Sequence, residues 1–261
     1  MNYFMEKEKH KEYVRKIPGS DTVVLFIHGI LGTPDHFEKL AGVVPKEWSV
    51  YNILLAGHGG TVEDFTRATM DLWKAQVHHM VKKLSAQYDH ILIVAHSMGT
   101  LFAISESISN PKIQTLFLLN VPLMVYVHPR IVVISLKIIF GKVSPEDIEA
   151  TAVQDAFSIT PERSLLKYLH WLPNYFMLFS EIRKTRKKIA QINVPCFVFQ
   201  SKKDELIIAR TAQYFKSHPK IRCAVLKHSG HFYYEASDME FLLDRFQKVC
   251  HKIGCQNKEL S

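Results

Sequence analysis

Three short segments of the 261-residue chain carry side chains that together could transfer an acyl group. In Ile91-Leu92-Ile93-Val94-Ala95-His96-Ser97-Met98-Gly99-Thr100 an apolar, β-branched run meets a serine, with Ala95 and Gly99 two residues to either side. A buried strand turning sharply into a helix at that point would expose the Ser97 hydroxyl, and small neighbours would let the turn pack. The usual spacing is G-x-S-x-G, and Ala95 stands in the first glycine position. A serine alcohol becomes a useful nucleophile when an imidazole can take its proton. His231, in Lys227-His228-Ser229-Gly230-His231-Phe232, follows the strand-like run Ile221–Leu226. Asp204, in Lys202-Lys203-Asp204-Glu205, follows Pro195–Ser201. The 27 residues from Asp204 to His231 leave room for one crossover helix, so neighbouring parallel strands would bring the two loops side by side. In this reading Ser97 attacks, His231 moves the proton, and Asp204 orients the ring and stabilises the imidazolium. Glu205 is the competing acid and His228 the competing base, while His96 is read as a packing residue.

The tetrahedral intermediate of acyl transfer needs donors for its oxyanion. Val23-Val24-Leu25-Phe26-Ile27-His28-Gly29-Ile30-Leu31-Gly32-Thr33 runs from a strand into a loop with two glycines. We assign the backbone N–H of Ile30 as one donor and that of Met98, just after the nucleophile, as the other. His28 is read as bracing this turn rather than transferring protons.

Short β-branched runs alternate with longer helical patterns, which predicts a mostly parallel α/β sheet with helices on both faces. Strands are predicted at Val23–His28, Ser49–Leu54, Ile91–Ala95, Ile113–Leu119, Pro195–Ser201 and Ile221–Leu226, with an edge strand in Lys11–Ile17. Helices are predicted over Leu72–Gln87, capped by Thr69 or Asp71, from Ser97 towards Asn110-Pro111, and from about Ser237 to Lys252. In the first of these, Leu72, Ala75, Gln76, Val77, Met80 and Leu84 would form the buried stripe. Residues 121–192 break the rhythm: they are rich in Ile, Leu, Phe and Tyr and too long for a bare loop. We read them as an inserted helical cap on a core of residues 1–120 and 193–261, covering the carboxyl ends of the strands where open sheets bind ligands.

Composition narrows the choice of function. Hydrophobic residues make up 47% of the chain and charged residues 22%, enough to fill a core. No apolar run reaches the roughly 20 residues of a membrane span, and Met1–Glu8 is charged early, so a cytoplasmic protein without stable membrane insertion is expected. Lys and Arg exceed Asp and Glu by 33 to 25. The densest basic cluster, Arg183, Lys184, Arg186, Lys187 and Lys188, lacks interleaved stacking aromatics or a recognition motif. It is read as a solvated helix face rather than a nucleic-acid site. The four cysteines have no metal-ligand spacing.

Taken in order, His28-Gly29-Ile30-Leu31-Gly32-Thr33, Gly57-His58-Gly59, Ala95-His96-Ser97-Met98-Gly99, Val194-Pro195 before the strand ending near Asp204, and Ser229-Gly230-His231 resemble the α/β-hydrolase superfamily. More narrowly they are similar to its bacterial carboxylesterase and monoacylglycerol lipase/lysophospholipase branch, over about residues 20 to 250. The resemblance implies a serine esterase with no metal or organic cofactor, Ile30 and Met98 as oxyanion donors, and Gly57-His58-Gly59 near the entrance. The apolar cap suggests a small-molecule ester with a hydrophobic acyl group. Phe37, Leu123, Met124, Trp171, Phe176 and Phe232 are the candidate lining side chains, with core packing the competing reading for each. A serine peptidase or amidase and a thioesterase remain open on the same triad, as does a non-catalytic ligand-binding protein of this fold. Serine at position 97 excludes a haloalkane dehalogenase, whose nucleophile is a carboxylate.

Overall fold

The computed structural model describes residues 10–260, and the charged run Met1–Glu8 lies outside the described residues. In chain order the elements are β1 (Tyr13–Arg15), β2 (Thr22–Ile27), α1 (Glu38–Gly42), β3 (Ser49–Ile53), α2 (Val62–Arg67), α3 (Met70–Ser85), β4 (His90–His96), α4 (Met98–Ser109) and β5 (Ile113–Leu119). They continue with α5 (Pro129–Ile139), α6 (Ile148–Ala156), α7 (Leu172–Lys188), β6 (Cys196–Ser201), β7 (Ile221–Leu226) and α8 (Ala236–Leu260). The strands form one sheet in the order β1-β3-β2-β4-β5-β6-β7. Every pairing is parallel except that of β1 with β3.

Strand alternation sorts the core into two layers. Val23, Leu25 and Ile27 of β2 pack in one cluster with Trp73 of α3, Leu101 of α4 and Ile182 of α7. Val24 and Phe26 point the other way, into a cluster with Leu40 of α1 and Leu242 and Phe246 of α8. Because helices cover both faces, β2 and β4 read as continuous apolar runs with no polar alternation.

The helix signals mostly act as expected. Thr69 caps α3 by accepting the Leu72 N–H at 3.2 Å. The buried stripe of α3 is rotated from the predicted one, however: Met70, Trp73, Val77, Val81 and Leu84 face inward and Leu72 faces solvent. Two polar anchors help set that rotation. Trp73 Nε1–H donates to Ala56 O at 2.8 Å, and the Gln76 amide bonds Leu54 O and Ala56 N–H, both at 2.8 Å. The helix α4 ends before Pro111, whose ring disfavours helical geometry in Asn110. At the carboxyl end, α8 runs on to Leu260, beyond the expected Lys252.

The 121–192 stretch packs in two ways. Helices α5 and α6 build a small cluster of their own from Ile131, Ile134, Ile138, Ala150 and Val153, which rests on Leu206 and Phe232. In contrast, α7 packs against α3 and α4 at the side of the sheet. The segment after α6 is tied down by two backbone bonds, Ser158 N–H to Leu31 O at 3.0 Å and Thr160 N–H to Gly60 O at 2.8 Å. Among the described residues no helix is long and apolar enough to cross a membrane.

Candidate active site

Ser97 sits between β4 and α4 with φ 50° and ψ −123°, a left-handed conformation that a non-glycine residue holds only under tight surrounding constraint. The constraint comes from all sides. Its N–H donates to Leu119 O at 3.0 Å, and its carbonyl accepts the Thr100 hydroxyl at 2.6 Å. A Cβ on Gly99 would stand 2.7 Å from His28 O, so only glycine lets α4 start this close to the end of β2. Ala95 in the first small position is fully buried.

The Ser97 hydroxyl lies 3.1 Å from His231 Nε2, and His231 Nδ1 lies 2.8 Å from Asp204 Oδ2. The other Asp204 oxygen accepts the N–H groups of Leu206 and Ile207, at 2.8 and 2.7 Å. That carboxylate is thus held by its own loop with one oxygen directed at the ring. With Nδ1–H donating to Asp204, Nε2 presents its lone pair to the serine hydroxyl, an arrangement chemically able to accept the hydroxyl proton. The side chains of His231 and Asp204 are almost wholly shielded from solvent, which strengthens their interaction.

Glu205 and His228 stand elsewhere. Glu205 Oε2 accepts the backbone N–H of His231 at 2.8 Å and so grips the main chain of the histidine, not its ring. Burial, a bond with Glu149 of α6 and the nearby Asp204 raise the Glu205 pKa to about 7. Glu149 in turn pairs with Arg130 of α5. His228 is exposed on an open cavity of about 710 Å3, which also borders Asp204 and Glu205. Asp238, in the first turn of α8, accepts its N–H at 2.7 Å.

Ile30 lies on the loop after β2, and Met98 is the first residue of α4, directly after Ser97. Neither N–H has a backbone acceptor among the described residues; for Met98 this follows from its place at the opening of α4, where the first amides of a helix lack intrahelical partners. A Cβ on Gly29 would come 2.7 Å from Ser97 Cβ, which measures how closely the first loop approaches the serine. Two buried histidines set the shape of that loop. His28 Nε2 accepts the Leu55 N–H at 3.0 Å while its Nδ1 bonds Gly29 O at 2.8 Å. His58 Nε2 accepts the Leu31 N–H at 3.1 Å, and its Nδ1 faces Leu55 O and Ala56 O. Both rings must be neutral to accept these bonds. Burial lowers the His28 pKa to about 4 and that of His58 well below the usual value. His96 Nε2–H donates to His231 O at 3.1 Å, and burial, with the charges of His36 and His231, keeps its ring neutral as well.

Sequence reasoning missed Asn120. At the end of β5, with φ 50°, its Oδ1 accepts the Ser201 N–H at 2.9 Å and its Nδ2 points at Gly230 O and His231 O, 3.4 and 3.3 Å away. It bridges the end of β6, the strand that precedes the Asp204 loop, and the His231 loop. An Asn closing a buried apolar strand was the available signal, since Asn tolerates positive φ.

Of the six candidate lining side chains, Phe232 packs against the His231 ring with centroids 4.6 Å apart. Leu123 and Trp171 are buried in the main core, and Trp171 meets Phe65 edge-on. Phe37 is enclosed in the cluster on the opposite face of the sheet, against Phe26. Met124 is half-buried, its N–H donating to Thr211. Phe176 is exposed on the outer side of α7. Apolar composition could not separate these positions, because it does not reveal which face of a sheet or helix a residue occupies.

A profile of the alpha/beta hydrolase family matches residues 24–245, nearly the whole described chain. The chain belongs to the alpha/beta hydrolase family. This alpha/beta hydrolase superimposes on a solved metagenome-derived lipolytic enzyme with TM-score 0.72 and 20% identity, covering 93% of this chain and 98% of that one. It is also similar to MenH from S. aureus, with TM-score 0.63, 18% identity and coverage of 92% and 98%. The Paleococcus ferrophilus monoacylglycerol lipase matches with TM-score 0.59 and 16% identity, again covering 92% and 98%. At these identities the likeness concerns the fold. No curated protein matches the chain.

Proposed function

We propose that this alpha/beta hydrolase is a serine esterase that cleaves carboxylic esters, of the carboxylesterase or monoacylglycerol lipase/lysophospholipase kind. The carrying observation is the unbroken chain Asp204–His231–Ser97, at 2.8 and 3.1 Å, ending at the first turn of α4. His231 takes the hydroxyl proton as Ser97 Oγ attacks the ester carbonyl, and the Ile30 and Met98 N–H groups receive the oxyanion. When the tetrahedral intermediate collapses, His231 returns the proton to the leaving alcohol and an acyl-Ser97 remains. Water activated by the same imidazole then releases the carboxylic acid. Every step is a proton or acyl transfer that these side chains can perform without a cofactor. In this reading residues 121–192 form a cap on the 1–120 and 193–261 core, with Phe232 and the α5–α6 pair forming the apolar side that meets the acyl group.

Labelling with a fluorophosphonate tests the nucleophile. Folded wild type is expected to be modified at Ser97, and Ser97→Ala to be unmodified. Absence of labelling in folded wild type would favour a non-catalytic binder. Turnover across a series of p-nitrophenyl acyl esters, a thioester and an aryl amide then ranks ester against thioester and amide chemistry. Faster turnover of the thioester or amide would refute the ester assignment.

A further inference from the structure

The basic cluster Arg183–Lys188, which hydrolysis leaves without a role, continues an exposed apolar surface. The 3-10 helix Leu165–Trp171 leads directly into α7. Leu165, Leu166, Leu169, Leu172, Phe176 and Phe179 are all exposed along this stretch, Leu166 at 73% and Phe176 at 69%. On α7 the outward positions are Leu172, Phe176, Phe179, Arg183 and Lys187, spaced by three or four residues and therefore aligned on one side of the helix. The opposite side, with Asn174, Glu181, Ile182 and Thr185, is buried. The outer face is thus apolar over its first half and cationic over its second.

Charge is concentrated on the same stretch. Residues 163–188 hold seven Lys and Arg against the single Glu181, a net +6 in a chain whose total is +8. Some of these cations are engaged. Lys167 is held by Glu63 and Glu162, Lys184 lies 3.7 Å from Glu181, and Arg186 bonds Leu123 O. Arg163, Arg183 and Lys187 are exposed and make no ion pair among the described residues.

We infer that this face docks on the surface of an anionic lipid bilayer, with the leucines and phenylalanines entering the headgroup–acyl boundary and Arg163, Arg183 and Lys187 meeting lipid phosphates. An exposed apolar patch this extended marks an interaction surface, and apolar side chains next to a basic stretch on one helix face fit an anionic interface. A second copy of the chain would bring two cationic patches together and is disfavoured. A polynucleotide would satisfy the cations but not the leucines, which cannot stack on bases. Docking is peripheral, since no described helix can span a bilayer. The inference is independent of the esterase reading, because binding and hydrolysis are read separately.

The test is co-sedimentation of the full chain with phosphatidylcholine vesicles and with equimolar phosphatidylcholine/phosphatidylglycerol vesicles, at low and high salt. Wild type is expected to partition onto the anionic vesicles, only weakly onto the neutral ones, and less at high salt. Arg183→Glu with Lys187→Glu should lower anionic partitioning by roughly thirtyfold or more. Leu166→Asp with Phe179→Asp should lower it by roughly tenfold or more. Both double variants should keep wild-type melting temperature and turnover of p-nitrophenyl acetate. No partitioning onto either vesicle, or equal, salt-independent uptake by both, overturns the inference. So does loss with the charge pair but not with the apolar pair, the mark of a simple polyanion site. A concentration-dependent dimer abolished by Leu166→Asp would instead assign the face to self-association and likewise overturn it.

Discussion

Replacing Glu205 by Gln separates two tasks that this carboxyl performs. Its Oε2 accepts the His231 N–H at 2.8 Å, while burial, Glu149 and Asp204 raise its pKa from 4.5 to about 7. Only 6% of the residue is exposed, so solvent screens little of this effect. The adjoining cavity is also lined by Arg130, paired with Glu149, by the acidic Glu146 and Asp147, and by His128, Lys202, Lys203, His228 and Tyr233. A folded-state pKa above the unfolded value means the folded protein binds this proton more tightly. The associated stability is fully present below pH 4.5 and is lost as pH rises through about 7. At ~1.4 kcal/mol per pKa unit, the loss amounts to about 3 kcal/mol. Gln cannot ionise, yet its amide oxygen can still accept the His231 N–H and its NH2 can donate to Glu149. The melting temperature of Glu205→Gln minus that of wild type should therefore climb between pH 4.5 and 7.5 by roughly 6–12 °C for a chain of this size. Differential scanning calorimetry across that range reads it. A difference that stays flat with pH would refute the reasoning, because the carboxyl would then ionise as easily in the folded protein as in solvent. Glu205→Ala supplies the contrast: the buried His231 N–H loses its acceptor, at a cost of about 1–3 kcal/mol at every pH.

Two histidines, the buried His28 and the half-buried His36, act with the opposite sign. His28 and His36 have folded pKa values lowered from 6.5 to about 4 and about 3, chiefly by burial, so stability is lost as pH falls below 6.5. Urea midpoints measured in the Glu205→Gln background should drop steadily from pH 7 to pH 4, and a constant midpoint would contradict the assigned burial. Asp204→Asn should lower esterase kcat by about 10⁴ with intact folding, whereas Glu205→Gln stays within a few-fold of wild type. The reverse ranking would move the acid role to Glu205. Gly29→Ala would push a methyl to 2.7 Å from Ser97 Cβ, and should slow fluorophosphonate labelling at least tenfold while destabilising the fold by about 1–3 kcal/mol. Wild-type labelling in this variant would show that the loop can retreat freely.

Much of the fold was legible because its signals are local. Continuous β-branched runs such as Val23–Ile27 and Ile91–Ala95 announce strands covered on both faces, and Thr69 and Pro111 mark helix limits through their own backbone chemistry. The order of strands and helices on the chain likewise follows from such runs. The rotation of α3 was not legible. Leu72 and Ala75, both exposed, are as apolar as residues that are buried, and the choice depends on Trp73 and Gln76 reaching carbonyl and amide groups at the exit of β3.

For the candidate site, the sequence alone determined which residues could take part: Ser97 between small neighbours, and Asp204 and His231 each just past a strand. Chain order and strand spacing are one-dimensional properties, and they suffice for that. Only the tertiary structure decided which carboxyl touches the ring and which holds the main chain, since Asp204 and Glu205 are adjacent and differ by one methylene and a direction. The same holds for Asn120, whose partners lie 81 and 111 residues away, and for Phe37, Phe176 and Phe232, which share a chemistry but occupy a core, an outer surface and the side of the imidazole. Hydrogen bonds and burial depend on position in space, and separations along the chain do not encode the direction in which a side chain leaves it.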